Sequence, residues 1–165
     1  MGLDMYLQAR KYVEKINWDI LHNNNELSYN SPEAILPNFD TVVSTAGLSD
    51  IATDIYGASV SVTAAYWRKA NQIHNWFVKN VQLGEDDCGE YYVSHEKLNE
   101  LRETCRKALF EKNPKYLAPV EGFFFGGTDI DQYYWEDIKR TIKMIDKITS
   151  HKDFDRLSFY YTSSW

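Results

Sequence analysis

The sequence predicts a single α+β domain in which three principal helices pack on a mainly antiparallel sheet. Three long segments, near residues 67–82, 95–110 and 130–148, repeat apolar residues at the spacing of one helix face. The two end segments, residues 3–13 and 154–165, alternate apolar and polar residues, which is typical of half-buried strands. A chain of 165 residues is long enough to bury a substantial core as one domain over its full length.

The first third of the chain is less regular than the rest. Residues 17–57 are predicted to be an irregular elaboration between the first strand and the central helix. Ser31-Pro32 is predicted to begin a short helix, and Pro37 to stop it, because proline is favoured at the first helical position but cannot continue a helix. The composition of Thr41–Ala46 and Ala58–Ala64 predicts two further strands.

The central helix, predicted near residues 67–82, carries the most distinctive side chains of the chain. Its apolar face consists of Tyr66, Ala70, Ile73, Phe77 and Val81, widened on one side by Trp67, His74 and Val78. Asn71 lies at the border of this face, beside Trp67 and His74. His74 has two interpretations: a core histidine with one hydrogen-bond partner, or a histidine that faces a ligand or works as an acid or base.

An acidic loop follows the central helix, after a glycine at position 84 that favours a helix end. Its carboxylates, Glu85, Asp86, Asp87 and Glu90, either form a solvated turn or hold a hard cation. Their spacing does not match the longer loop of an EF-hand. We therefore predict no metal ligand here.

The remaining segments complete the sheet and supply the other two helices. Ser94 is predicted to cap the second helix. Gly122–Gly126 holds three phenylalanines between glycines and is predicted to be a fully buried strand. We expect Asp129 and Asp131 to cap the last helix, because these acids would repel a phosphate at that position.

Composition excludes several classes of protein. The formal net charge of −6 argues against general nucleic-acid binding, which depends on basic patches. Two cysteines, Cys88 and Cys105, cannot form a disulfide framework. No apolar run reaches the length of a membrane span, and Asp4 stands where a signal peptide needs basic residues. We therefore expect a cytoplasmic protein that does not bind membranes.

Several blocks of the sequence, taken together, resemble a group of small uncharacterised proteins of bacteriophages and prophages. The blocks are Gly2–Leu7, Tyr66–Asn71 with Ile73-His74 and Trp76–Val78, Gly84–Ser94, Gly122–Gly126 and Tyr161–Trp165. The resemblance covers residues 1–13 and 64–165 and is least clear over 17–57. It implies a setting in a bacterial host, with a role in host interaction or counter-defence, and it carries no activity.

Three hypotheses for the function follow. The first is a phage-encoded, small-ligand-binding protein that sequesters a nucleotide-derived host defence signal, since aromatic faces stack on bases while polar side chains hold the rest. The second is a phage inhibitor that binds a host protein directly. The third is a small hydrolase or transferase that uses His74 with Cys88 or with the acidic loop. We favour the first, predict no catalytic residue and no cofactor, and leave formation of a homo-oligomer open.

The predicted site for a small polar or nucleotide-like ligand lies where the start of the central helix meets the acidic loop. Its residues are Trp67, Arg68, Asn71, His74 and Tyr91. Trp67 or Tyr91 would stack on a base, and Asn71 would hydrogen-bond to the base edge. Arg68 would meet a phosphate from the rim, and His74 would add a hydrogen bond. The competing interpretation is that Trp67 and His74 pack beneath the sheet.

Overall fold

The structure is a computed structural model that describes residues 2–52, 56–122 and 124–165. In chain order, its strands and helices are β1 (Asp4–Glu14), α1 (Trp18–Asn23), α2 (Pro37–Thr45), β2 (Gly57–Arg68), α3 (Asn71–Asn80), β3 (Tyr91–Val93), α4 (His95–Glu111), α5 (Gln132–Thr149) and β4 (Ser158–Ser164). The predicted α+β class is confirmed, and α3, α4 and α5 are its principal helices. Among the described residues, no helix is both long enough and apolar enough to cross a membrane.

The chain divides into two compact units. The first consists of Met1–Arg10 and Val62–Trp165, and the second of Lys11–Ser61. The sheet has the strand order β2-β1-β4-β3, in which β4 pairs antiparallel with both β1 and β3. The predicted elaboration, residues 17–57, falls within the second unit.

The core of the first unit follows from the two periodicities of the sequence. Alternate strand residues are fully buried, among them Leu3, Met5, Leu7, Phe159 and Tyr161. They pack with apolar residues of the three helices, including Ile73, Phe77, Leu98, Leu101, Cys105, Ile138 and Ile145. Burial raises the pKa of the Cys105 thiol to about 12, so this cysteine is a neutral core residue, as predicted.

The central helix begins four residues later than the sequence predicts. Trp67 and Arg68 end strand β2, and Lys69 adopts a left-handed conformation with φ of 58° before α3 starts at Asn71. The Lys69 N–H donates to the carbonyl of Leu3 at 2.7 Å, which ties this junction to the edge of β1. The helix prediction over 67–70 is therefore wrong. Only two residues separate the end of strand β2 from the start of α3, and the last apolar residues of β2 happen to continue the helical spacing.

The prediction of a strand at Thr41–Ala46 is also wrong, because these residues belong mostly to helix α2. Pro37 starts this helix at its first turn instead of ending an earlier one. Phe39 and Val43, one turn apart, form its buried side. The short helix predicted before Pro37 is only a 3₁₀ turn over Pro32–Ala34.

The segment predicted as a buried strand at Gly122–Gly126 forms a tight turn in its described part. The Phe125 N–H donates to the Gly122 carbonyl at 3.2 Å, and Gly126 has a φ of 89°, which favours glycine. Phe125 is buried and Phe124 is half-buried. The strand prediction is wrong for these residues, and its middle residue, Phe123, lies outside the described residues.

A buried hydrogen bond joins the end of β2 to α5 and provides a test of this core. Trp67 Nε1 donates to Thr141 Oγ1 at 2.8 Å, and Thr141 Oγ1 donates to the Asp137 carbonyl at 2.8 Å. Thr141→Val keeps the shape but leaves the buried indole N–H without an acceptor. Urea unfolding should show a loss of about 1–3 kcal/mol in the free energy of unfolding.

Thr104→Val is the matched control. Thr104 Oγ1 also donates to the carbonyl four residues earlier, but it accepts no hydrogen bond from a buried indole among the described residues. It should change the free energy of unfolding by no more than about 0.5 kcal/mol. Equal losses in the two variants would contradict the assignment of the Trp67 bond.

Candidate functional site

The structure distributes the five predicted site residues over different surroundings. Arg68 and Asn71 line one cleft, and His74 lines a second. Trp67 and Tyr91 line neither of these two clefts. The predicted convergence of Trp67, Asn71 and His74 on one border fails because Trp67 belongs to a strand and lies in the core, edge-on to Phe77.

The first cleft, called the polar cleft, lies between the start of α3, the start of α5 and the turn that ends at Gly127. It has a volume of about 380 Å³. Its lining is Arg68, Lys69, Asn71, Gln72, Pro119, Gly126, Gly127, Asp129, Asp131, Tyr133, Tyr134 and Asp137. Two cationic side chains and three carboxylates thus line the same cleft, so the cleft suits a ligand with both polar and charged groups.

Asn71 is the best-defined side chain of the polar cleft. It is 1% exposed, and its Nδ2 donates to the carbonyls of Phe125 at 3.2 Å and Gly127 at 2.9 Å. Its Oδ1 is buried and has no hydrogen-bond partner in the part of the chain that the structure describes. A buried acceptor without a donor is costly, and native structures rarely retain one without a reason.

Asp137 faces the same cleft from the second turn of α5. Burial raises the pKa of its carboxyl group, while a hydrogen bond from the Gln72 side chain and the charge of Arg140 act in the opposite direction. Asp131 has a different role, because its carboxylate accepts from the Tyr134 N–H at 3.0 Å and caps α5. The predicted cap is therefore confirmed for Asp131.

The second cleft, called the aromatic cleft, has a volume of about 400 Å³ and a mostly apolar lining. Its lining is His74, Asn75, Val78, Asp86, Val120, Glu121, Gly122, Phe124, Phe125 and Trp165. The Phe125 and Trp165 rings meet edge to face, with centroids 5.9 Å apart. Phe125 also meets the His74 ring edge to face at 5.0 Å, so one phenylalanine connects the cleft to the core.

His74 is fully buried and has two hydrogen-bond partners, one more than its core interpretation predicts. Its Nδ1 lies 2.7 Å from the Tyr161 hydroxyl, and its Nε2 lies 2.9 Å from Asp86 Oδ2. A neutral imidazole protonated on Nε2 gives each bond one donor and one acceptor. Burial raises the pKa of Tyr161, so its hydroxyl keeps the proton that this arrangement needs for the bond to Nδ1.

Asp86 connects this buried chain of hydrogen bonds to the aromatic cleft. Its side chain is 26% exposed, and its Oδ1 accepts from Trp165 Nε1 at 3.1 Å. The carboxylate is thus held by two donors, His74 and Trp165, with one edge at the cleft. Asp86 therefore presents a carboxylate to the aromatic cleft, whose lining also includes Glu121.

Two other carboxylates of the acidic loop, those of Asp87 and Glu90, are occupied within the protein. Asp87 accepts from the Gly89 N–H and from the Tyr91 hydroxyl, and these two bonds lower the pKa of Asp87. The bond to Asp87 raises the pKa of Tyr91. Glu90 pairs with Arg10. Among the described residues, no group of three or more His, Cys, Asp or Glu side chains is arranged to hold a metal ion.

The nucleophile–base pair of Cys88 and His74 has little geometric support. Both ring nitrogens of His74 are engaged with Tyr161 and Asp86. Cys88 is half-buried in a left-handed conformation, and its carbonyl accepts from the Thr162 hydroxyl at 3.2 Å. His74 therefore has no free ring nitrogen with which to activate the thiol.

Sequence reasoning missed several residues that shape the clefts. Asp137 and Gln72 were outside the predicted site. Asp137 follows the buried Tyr134 by about one helical turn, so the helical periodicity could have placed it near the buried face of α5. Phe125 and Trp165 were assigned to strands, and no periodicity signals that they meet. Their contact depends on the tight turn and on the end of β4, which only the folded chain brings together.

Comparisons with known proteins add no relative. No protein-family model, curated protein or solved structure matches this chain.

The hydrogen bond between Tyr161 and His74 can be tested by removing one oxygen atom. Tyr161→Phe keeps the ring that stacks on Phe77 at 3.9 Å but leaves His74 Nδ1 buried without its hydrogen-bond partner. Thermal unfolding should show a loss of stability of about 1–3 kcal/mol. Tyr160→Phe is the control, because Tyr160 is half-buried and its ring lies under Arg10; it should stay within about 0.5 kcal/mol of the parent. Parent-like stability of Tyr161→Phe would contradict the assigned bond.

Proposed function

We propose that this protein binds a small, polar, nucleotide-like ligand in the polar cleft. The observation that carries the proposal is the buried Oδ1 of Asn71, which has no partner among the described residues although Asn71 forms part of the cleft wall. The oxygen is closed to solvent, so a ligand reaches it only when the cleft wall shifts. A ligand that then donates a hydrogen bond to it would recover the free energy that the unpaired acceptor costs the protein. The exocyclic amine of a nucleobase is such a donor.

The surrounding residues support the same class of ligand. Tyr133 is 74% exposed at the start of α5, and its ring offers a face on which a base can stack. The Asp137 carboxylate provides a second acceptor for an amine. Arg68 and Lys69 provide the cations for a phosphate, and the Arg68 side chain is 63% exposed with its Nε 3.9 Å from Asp4 Oδ1. Arg68 is therefore available for stronger contacts.

The carboxylates of the polar cleft set the direction of binding. Asp129, Asp131 and Asp137 would repel a phosphate, whereas they attract a base that carries amine hydrogens. In the proposed orientation, the base enters beside Asn71 and Asp137, and the phosphate remains beside Arg68. Because Arg68 and Lys69 are the cations of the described lining, this orientation favours a ligand with few phosphates.

The resemblance of the sequence to bacteriophage proteins supports a biological role for this binding. A phage protein that binds a nucleotide-derived signal in the cytoplasm of its bacterial host would withdraw that signal from host defence. Sequestration needs affinity and abundance but no catalysis, and the proposal assigns no residue a catalytic role.

Isothermal titration with a panel of nucleoside monophosphates, nucleoside diphosphates and cyclic dinucleotides tests the proposal. At least one compound should bind the parent protein with a Kd below about 100 μM, which corresponds to roughly 5.5 kcal/mol. Arg68→Ala should weaken that binding by about tenfold or more, because it removes a charge-assisted bond to phosphate. The same variant should keep the parent's melting temperature, since Arg68 is exposed.

Arg156→Ala removes the same charge from an exposed residue that does not line the polar cleft, and it should bind as the parent does. The proposal is wrong if no compound of the panel binds. It is also wrong if Arg68→Ala and Arg156→Ala bind the same compound with the parent's affinity.

A further inference from the structure

The aromatic cleft has a chemistry that the polar cleft does not share. Its lining includes three aromatic residues, Phe124, Phe125 and Trp165, and two aliphatic ones, Val78 and Val120. Aromatic faces carry negative charge density and attract cations that have lost their water. An apolar cleft of about 400 Å³ with such walls accepts a bulky, weakly hydrated group.

The charges at this cleft have a single sign. Asp86 and Glu121 are the acidic residues of its lining, and among the described lining residues there is no lysine or arginine. A negative potential therefore acts on any group that lies between the rings.

We propose that the aromatic cleft is a second binding site that takes an alkylated ammonium group, of the trimethylammonium type. Both Asp86 oxygens already accept one hydrogen bond each, from His74 and from Trp165. A quaternary ammonium has no N–H hydrogens and needs no further acceptor, so it gains the electrostatic attraction without competing for these bonds. A primary ammonium would have to find three acceptors in a cleft that is mostly apolar.

This site is independent of the proposed nucleotide site, because the two clefts have no lining residue in common. The turn between Gly122 and Gly127 contributes to both, through different residues. Failure of one proposal therefore leaves the other standing.

Choline and its neutral isostere 3,3-dimethyl-1-butanol are matched probes for the site, since they differ in one atom and one charge. Titration followed by the NMR signal of the Trp165 indole N–H should show saturable binding of choline. The neutral isostere should bind at least about tenfold more weakly, because it lacks the attraction to the rings and to Asp86.

Two variants of the cleft and two matched controls locate the binding. Trp165→Leu and Asp86→Asn should each weaken choline binding by about fivefold or more. Binding to Asp86→Asn is followed by the Trp165 signal, which Trp165→Leu identifies by its loss, and binding to Trp165→Leu is followed by calorimetry. Trp18→Leu removes a tryptophan of similar exposure, 41% against 44%, from the second unit. Asp87→Asn removes the same charge one residue later, at a position that does not line the cleft. Both controls should bind choline as the parent does.

Equal affinity for choline and the neutral isostere would overturn the proposal, because the cleft would then be only an apolar pocket. Parent-like binding in both Trp165→Leu and Asp86→Asn, each shown by circular dichroism to be folded, would place choline elsewhere and would also overturn it. The absence of saturable choline binding would do the same.

Discussion

Both clefts depend on the two hydrogen bonds that the side-chain amide of Asn71 donates. Its Nδ2 donates to two carbonyls of the same turn, those of Phe125 and Gly127, and holds that turn against the start of α3. The Leu3 N–H adds a third bond, to the Phe124 carbonyl at 3.0 Å. Since the polar cleft uses Gly126 and Gly127 and the aromatic cleft uses Phe124 and Phe125, one anchored turn forms a wall of each.

The left-handed Lys69 makes this anchoring possible. It lies in the two-residue connection between β2, whose Trp67 enters the core, and α3, whose Asn71 reaches the turn. The Lys69 N–H donates to the Leu3 carbonyl, while the Leu3 N–H donates to Phe124. The start of β1 therefore lies between the strand–helix junction and the turn and is bonded to both.

The parts of the fold that follow one periodicity were predictable from the sequence. The alternation around Leu3–Leu7 and the helical stripes of α4 and α5 each serve one buried face, and the structure has them where they were expected. The junction at Lys69 was not predictable in this way, because lysine gives no signal for a left-handed conformation. The helix predicted from periodicity therefore includes the end of β2 as well as the start of α3.

The site was less predictable than the fold, for a related reason. Asn71 and Arg68 stand at a cleft, but their neighbours come from the start of α5 and from the turn after Gly122, distant in sequence. His74 was recognised as an apolar-face residue, yet its partners Asp86 and Tyr161 are chosen by tertiary packing. Thr41–Val43 shows the same limit for the fold, since residues that favour strands lie in a helix that Pro37 starts.

The most direct test of this account is the hydrogen exchange rate of the Leu3 amide, measured by NMR in Asn71→Ala. That amide is protected only while the turn presents the Phe124 carbonyl. If Asn71 anchors the turn, Asn71→Ala should accelerate exchange at Leu3 by about tenfold or more. Asn75→Ala, which removes a single bond from Nδ2 to the Ala118 carbonyl, should leave that rate unchanged. An unchanged rate at Leu3 in a folded Asn71→Ala variant would contradict the central role of Asn71.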